Sequence, residues 1–115
     1  MTDHQEIQAS LDRLANIIAA RGFSGVVRAD QNGMGAFIVS GEALVQLHDG
    51  RTAILHCPVD QKVLLMEISP DIYFETESLV GQNAVLIRLD RIDDEELSLR
   101  LHDAYQFRAP TKPIA

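Results

Sequence analysis

Between residues 25 and 57, apolar residues follow the two-residue period of β-strands, and turn signals interrupt this pattern at short intervals. Asn32-Gly33, Ser40-Gly41 and Asp49-Gly50 separate the segments GVVRA, AFIVS, EALVQLH and RTAILHC. Asn-Gly and Asp-Gly favour two-residue hairpin turns, because these residues adopt positive φ at little cost. The pattern predicts an antiparallel meander of three or four strands.

The strand alternation in this region is incomplete. Residues 36–39 (AFIV) and 53–55 (AIL) are apolar on both phases of the strand. Strands with this character are typical of sheets that are covered on both faces. We therefore expect helices or a partner subunit to cover both faces of the meander.

A helix is predicted before the meander, over residues 2–23. Its apolar stripe has spacings of four, three and four residues and consists of Ile7, Leu11, Leu14 and Ile18. Thr2 and Gln5 have the spacing of a capping box. Gly22 stands where a helix favours a residue with positive φ at its C-terminal end.

A second helix is predicted over VDQKVLLMEIS (residues 59–69), with Val59, Val63 and Met66 as its buried stripe. The Ser69-Pro70 step ends it, because proline disfavours helical backbone at the preceding residue. Residues 71–83 are ambiguous: the first half can form a strand and the second half is predicted as a loop. AVLIRL (residues 84–89) is apolar on both phases and is predicted as a central strand.

The last helix is predicted from Asp93 as N-cap, with Glu96 three residues later. Its core-facing positions are Leu97, Leu101 and Ala104. Tyr105 and Phe107 are expected to pack where the chain leaves the helix, with Phe107 as a buried anchor. Ala109-Pro110 then stops the helix, and the remaining tail is expected to pack as a lid.

The predicted element order is α-β(3–4)-α-β-α, which is an α+β fold with an antiparallel meander and helices packed on it. The chain has 115 residues, of which 46% are hydrophobic and 23% charged. This length and balance indicate one globular domain over residues 1–115. With no signal peptide and no apolar run near 20 residues, the expectation is a cytoplasmic protein without a membrane partner.

Residues that could perform chemistry are few. Cys57 is the single cysteine, so no internal disulfide is possible, and a buried unreactive thiol is expected. His48 and His56 flank the Asp49-Gly50 turn and could form a cross-strand pair. Two alternatives stay open for them: a metal site, or ordinary imidazoles on the surface. No nucleotide-binding or nucleophile motif is present. We therefore predict a protein that is not an enzyme and has no cofactor or metal.

Three segments in the second part of the chain resemble the MmcQ/YjbR-like family of small bacterial proteins. AFIVSGEALVQL is similar to the family's core strand pair, SPDIYFET to the segment after its middle helix, and residues 84–115 to its closing strand, helix and Ala-Pro-Lys ending. The resemblance spans about residues 34–115. It departs from the family at Glu42, where a lysine is usual, and at Tyr105, where a tryptophan is usual, so the chain is identified as a divergent member.

The resemblance implies a fold like that of secretion chaperones and frataxin-like proteins, and a DNA-binding or regulatory role. Such a role needs cations on one surface, because phosphate neutralisation supplies most of the binding energy. The candidate nucleic-acid-binding residues are Arg28, Arg51, Arg88, Arg108 and Lys112.

The net charge of −7, from 17 acidic and 10 basic residues, favours a different role. The alternative is an acidic protein–protein interaction module or a chaperone-like homodimer. This alternative predicts an exposed apolar patch, on the meander or on the helix that carries Ile7–Ile18.

Overall fold

The computed structural model describes residues 4–31 and 34–108. In this part of the chain, three helices and six strands follow the order α1 (His4–Arg21), β1 (Val26–Gln31), β2 (Met34–Val39), β3 (Glu42–Leu47), β4 (Thr52–His56), α2 (Val59–Ile68), β5 (Tyr73–Phe74), β6 (Ala84–Arg88) and α3 (Asp94–Arg108). A 3-10 turn, Glu77–Leu79, lies between β5 and β6. The α+β class and the predicted order of elements are confirmed, and the ambiguous segment supplies β5.

All six strands form one antiparallel sheet in the order β1-β2-β3-β4-β6-β5. The four-strand meander is therefore confirmed, and β6 is an internal strand, as predicted. Asp49 stabilises the β3–β4 turn by accepting hydrogen bonds from the backbone N–H groups of Arg51 and Thr52, at 2.8 and 2.9 Å. Gln31 lies opposite Met34, while the predicted Asn32-Gly33 turn lies outside the described residues.

The helices pack on one face of the sheet, which we call the helix face. The strand register aligns Phe37, Val45, Leu55 and Val85 across this face. These side chains share one buried cluster with residues from all three helices: Leu14, Leu65 and Leu101. Burying each large aliphatic side chain contributes about 1.5–3 kcal/mol, so this layer holds the fold together.

The opposite, open face carries Ala36, Gln46, Ile54 and Leu86 in register. Among the described residues all three helices contribute to the cluster on the helix face, so helices do not cover the open face. The alternative expectation, that a partner subunit covers it, stays a prediction. Ala36 and Leu86 are nonetheless buried. Ala36 is short, and Leu86 lies between the larger side chains Ile54 and Phe74 of the neighbouring strands, with the Arg88 guanidinium over the Phe74 ring.

Two glycines show how α1 fits onto the sheet. Gly22 has φ +70° and its N–H donates to the Ile18 carbonyl oxygen at 3.1 Å, which ends the helix as predicted. At Gly35 a Cβ atom would lie 2.3 Å from a Leu11 methyl carbon, so this position lets α1 approach β2 closely. The predicted capping box of α1 involves Thr2, which lies outside the described residues.

At α3, Asp93 is the N-cap, as predicted: its side chain accepts a hydrogen bond from the Glu96 N–H at 2.8 Å. Leu97, Leu101 and Ala104 are buried, also as predicted. The expected anchor Phe107 is 36% exposed, so that prediction is wrong. Because α3 continues through Arg108, Phe107 stays on the helix beyond its last buried residue.

Tyr105 does pack, as predicted. Its ring stacks on Phe23 with centroids 4.4 Å apart, and its hydroxyl donates to the Ser24 carbonyl oxygen at 2.7 Å. The packing ties the C-terminal part of α3 to the segment between α1 and β1. The tail predicted to form a lid, residues 109–115, lies outside the described residues.

Candidate functional site

The structure distributes the candidate nucleic-acid-binding residues over different parts of the sheet. Arg28 is on the edge strand β1. Arg51 and Arg88 lie together at one end of β4 and β6, where the Leu89 N–H donates to the Arg51 carbonyl oxygen at 2.7 Å. Arg108 contacts the opposite end of β3 and β4. Lys112 lies outside the described residues.

Interactions within the protein engage three of these cations. Arg51 forms an ion pair with Glu6 at 2.8 Å, and Arg108 forms one with Glu42 at 2.8 Å. Arg88 donates to two carbonyl oxygens before β5 and lies over the Phe74 ring, 4.0 Å from its centroid. A phosphate group would compete with these interactions. The backbones of Arg51 and Arg88 are adjacent, but the Arg51 side chain reaches Glu6 of α1 on the helix face and the Arg88 side chain covers Phe74 on the open face. The described residues therefore form no continuous basic surface from these arginines.

A cleft of about 450 Å³ on the open face contains His56. The Arg108 guanidinium donates to His56 Nδ1 at 3.1 Å, so Nε2 carries the proton and donates to Gln46 Oε1 at 3.3 Å. Burial first, and the Arg108 charge second, lower the pKa of His56 to about 4. The imidazole is neutral at pH 7. Both ring nitrogens are engaged within the protein, so a proton transfer at His56 would require one of these hydrogen bonds to break.

The predicted alternative of a His48–His56 metal pair has no geometric support. His48 lies beside Thr52, at the start of β4, whereas His56 is its last residue. Within residues 4–31 and 34–108, no group of three or more His, Cys, Asp or Glu side chains is placed to hold a metal ion.

Cys57 is fully buried in the cluster on the helix face, as expected. Burial raises the pKa of its thiol to about 11. The thiolate is the reactive form of cysteine, so this thiol is poorly suited to nucleophilic chemistry.

The most unusual feature of the molecule is that α2 buries a lysine. The Lys62 side chain is 2% exposed and its ammonium group lies 2.8 Å from Glu75 Oε1. The same group donates to the Leu79 carbonyl oxygen at 2.7 Å. A buried ammonium group needs such partners, because an unpaired charge in the interior is costly. These contacts hold the Lys62 side of α2 against the 3-10 turn and the segment that follows β5.

Burial of Lys62 and Leu65 turns apolar residues of α2 towards solvent. Val63, Leu64 and Ile68 are 50%, 53% and 68% exposed. With 3.6 residues per turn, these three side chains lie within an arc of roughly 140° opposite the buried side. The predicted buried stripe of α2 is therefore wrong at Val63. The Lys62–Glu75 ion pair, which orients α2, joins residues 13 positions apart in the sequence, so no local pattern predicts it.

Two acidic residues share this arc. Asp60 and Glu67 are both exposed, and the helical period places them among the three apolar side chains. The single basic residue of α2 is the buried Lys62. We call the set Asp60, Val63, Leu64, Glu67 and Ile68 the α2 face. It combines apolar area with negative charge.

No described helix is both long and apolar enough to span a membrane. Comparisons with protein-family models, curated proteins and solved structures found no match to this chain.

Proposed function

We propose that this protein is a protein-interaction module and that its α2 face binds a basic amphipathic helix of a partner protein. The observation that carries the proposal is the orientation of α2, which buries Lys62 and exposes Val63, Leu64 and Ile68. Three large aliphatic side chains on one short helix remain exposed to water, so their burial against a partner would be favourable. Exposed apolar patches of this kind mark interaction sites.

The available energy supports a weak, reversible complex. Full burial of a Val, Leu or Ile side chain contributes about 1.5–3 kcal/mol, so the half-exposed residues of the α2 face retain about 1 kcal/mol each. Apolar side chains of the partner contribute a similar amount, and two exposed ion pairs add about 0.2–1 kcal/mol each. These contributions sum to about 6–8 kcal/mol. The loss of translational and rotational freedom on association offsets part of this sum, so we expect a Kd on the order of 100 μM or weaker for a single helix.

Charge favours a basic partner over a second copy of this chain. In an antiparallel pair of α2 helices, Asp60 of one copy would lie near Glu67 of the other, and each chain carries a net charge of −7. Lys or Arg residues on a partner helix would instead pair with both acids. Complementary charges of this kind raise specificity and association rate.

A nucleic-acid-binding role, and membership of the MmcQ/YjbR-like family, stay predictions. Arg51, Arg88 and Arg108 already interact with other groups of the protein, which reduces the positive charge available to phosphates. The proposed binding of a helix at the α2 face does not require nucleic-acid binding.

The test uses a fluorescein-labelled 18-residue helical peptide of leucine and lysine, with an otherwise identical leucine and glutamate peptide as control. We expect the wild-type protein to bind the lysine peptide with a Kd near 100 μM in fluorescence anisotropy. The double variant Leu64→Ser/Ile68→Ser should weaken binding at least tenfold. Leu99→Ser is the matched control, since Leu99 is 45% exposed on α3 and its loss should leave binding unchanged.

Three results would contradict the proposal. The first is equal binding of the glutamate peptide, and the second is equal loss of binding in Leu99→Ser. The third is a wild-type dimer in light scattering that Leu64→Ser/Ile68→Ser converts to a monomer, because the face would then bind a second copy. Duplex DNA serves as a further probe, and its binding should not respond to the Leu64 and Ile68 substitutions.

A further inference from the structure

Strand β1 leaves one edge of the sheet open along six residues. Within the described part of the chain, β1 pairs with β2 alone. On such an edge, alternate residues direct N–H and C=O groups outwards, ready to pair with another strand. The other edge strand, β5, has two residues and offers far fewer of these groups.

An apolar groove of about 420 Å³ runs beside this edge, between the C-terminal half of α1 and the helix face of β1 and β2. Its lining includes the apolar side chains of Ile18, Phe23, Val26 and Phe37. A strand added to β1 would direct every second side chain towards this groove, because side chains alternate between the two faces of a sheet.

Charged residues of β1 lie on the same face as the groove. The register places Val26, Arg28 and Asp30 opposite Val39, Phe37 and Gly35. Since Phe37 lies on the helix face, the three β1 side chains lie on that face too, at every second position of the strand. Arg28 and Asp30 are exposed. Among residues 4–31 and 34–108, neither one takes part in an ion pair or a side-chain hydrogen bond. They are one positive and one negative charge, exposed to solvent and two residues apart on the same face of β1.

We propose that β1 binds an extended segment of a partner protein as an additional antiparallel strand. The groove-facing side chains of that segment are apolar opposite Val26, acidic opposite Arg28 and basic opposite Asp30. Backbone hydrogen bonds supply sequence-independent affinity, and the side-chain pattern supplies specificity, as in other cases of strand addition. The antiparallel direction follows from the sheet, in which every pair is antiparallel.

This site is independent of the α2 face, because α2 contacts β5 and β6 at the other end of the sheet order. It also takes a different occupant, an extended strand instead of a helix. A protein could fail the helical-peptide test and still bind a strand at β1, or the reverse.

The test compares two peptides of identical composition by NMR titration of the folded protein. Acetyl-Thr-Lys-Thr-Glu-Thr-Val-Thr-amide places complementary charges opposite Asp30 and Arg28. Acetyl-Thr-Glu-Thr-Lys-Thr-Val-Thr-amide exchanges them. We expect the first peptide to shift the backbone amide signals of β1 and to bind about tenfold more tightly than the second, since opposite charges directly across a strand pair are favourable and like charges are not.

The variant Arg28→Glu/Asp30→Lys should invert this preference without changing the net charge of the protein. Backbone N-methylation of the first peptide removes its hydrogen-bond donors and should abolish binding to the wild-type protein. Equal affinity for both peptides, unchanged preference in the variant, or undiminished binding of the N-methylated peptide would each overturn the proposal. Retained amide dispersion in the variant shows that it is folded.

Discussion

Replacing Lys62 with methionine tests why α2 exposes its apolar residues. The substitution keeps an unbranched side chain, one atom shorter than lysine, and removes the ammonium group. Glu75 then loses its cation, at present 2.8 Å away, and the Leu79 carbonyl oxygen loses its donor at 2.7 Å. Breaking a buried ion pair by removing one partner costs about 3–5 kcal/mol. The Glu75 side chain is 25% exposed, so water offsets part of this, and we expect a loss of about 2 kcal/mol.

The double variant Lys62→Met/Glu75→Gln should recover about half of that loss, because no unpaired charge remains. The measurement is urea denaturation of the wild type, both single variants and the double variant, combined as a double-mutant cycle. Glu77→Gln is the matched control: Glu77 is exposed in the 3-10 turn, and its replacement should change stability by less than about 0.5 kcal/mol. Additive single and double variants, or Lys62→Met as stable as the wild type, would refute the buried pair and with it the orientation of α2.

Three further predictions concern other parts of the molecule. Because burial and Arg108 hold the folded pKa of His56 at about 4, below the ordinary 6.5, the unfolded chain binds more protons between these values. The free energy of unfolding should therefore fall as the pH drops from about 6.5 towards 4, by about 1–2 kcal/mol after solvent screening. His56→Gln should make the free energy of unfolding, measured by denaturation, depend less steeply on pH. An unchanged dependence would contradict the buried neutral imidazole. Asp93→Ala should destabilise the protein by about 1 kcal/mol in urea through loss of the α3 N-cap, and an effect below 0.3 kcal/mol would argue against that cap. Cys57 should react with a thiol reagent only as fast as the protein opens, so rapid labelling of the native protein would show that the thiol is not buried.

Local sequence patterns predicted those parts of the fold that depend on local physics. The Asp49-Gly50 turn, the Gly22 helix end and the Asp93 cap each depend on the conformational preferences of one or two residues. The stripe Leu97, Leu101 and Ala104 follows from the helical period alone. The number of strands in the meander and the internal position of β6 are likewise consistent with their apolar patterns.

The candidate sites could not be predicted in the same way, because they depend on contacts between distant segments. The predicted buried stripe of α2 was wrong at Val63, because Lys62 is buried instead through its contacts with Glu75 and Leu79, which are distant in the sequence. Arg13 on α1 donates to the carbonyl oxygens of Leu89 and Ile92, at 2.6 Å each, and no local pattern around Arg13 predicts these contacts. An arginine carries no periodic signal that would distinguish this role from solvent exposure.

The helices cover the sheet on one face, although its strands are apolar on both phases. Apolar residues on both strand phases were interpreted as two covered faces, yet the helices occupy one. Leu86 is buried on the open face, and its phase alone cannot distinguish a helix above it from the shielding by neighbouring strands. An exposed apolar patch was expected on the meander or on α1, whereas the structure concentrates three exposed aliphatic residues on α2.

The most direct test of the α2 proposal is an NMR titration of the isotopically labelled protein with the leucine and lysine peptide. Binding at the α2 face predicts that the largest shifts in backbone amide signals occur between Asp60 and Ile68. It also predicts that Leu64→Ser/Ile68→Ser removes these shifts and that Leu99→Ser preserves them. Shifts concentrated on α3 or β1, with α2 unaffected, would contradict the central claim that this helix face binds the partner.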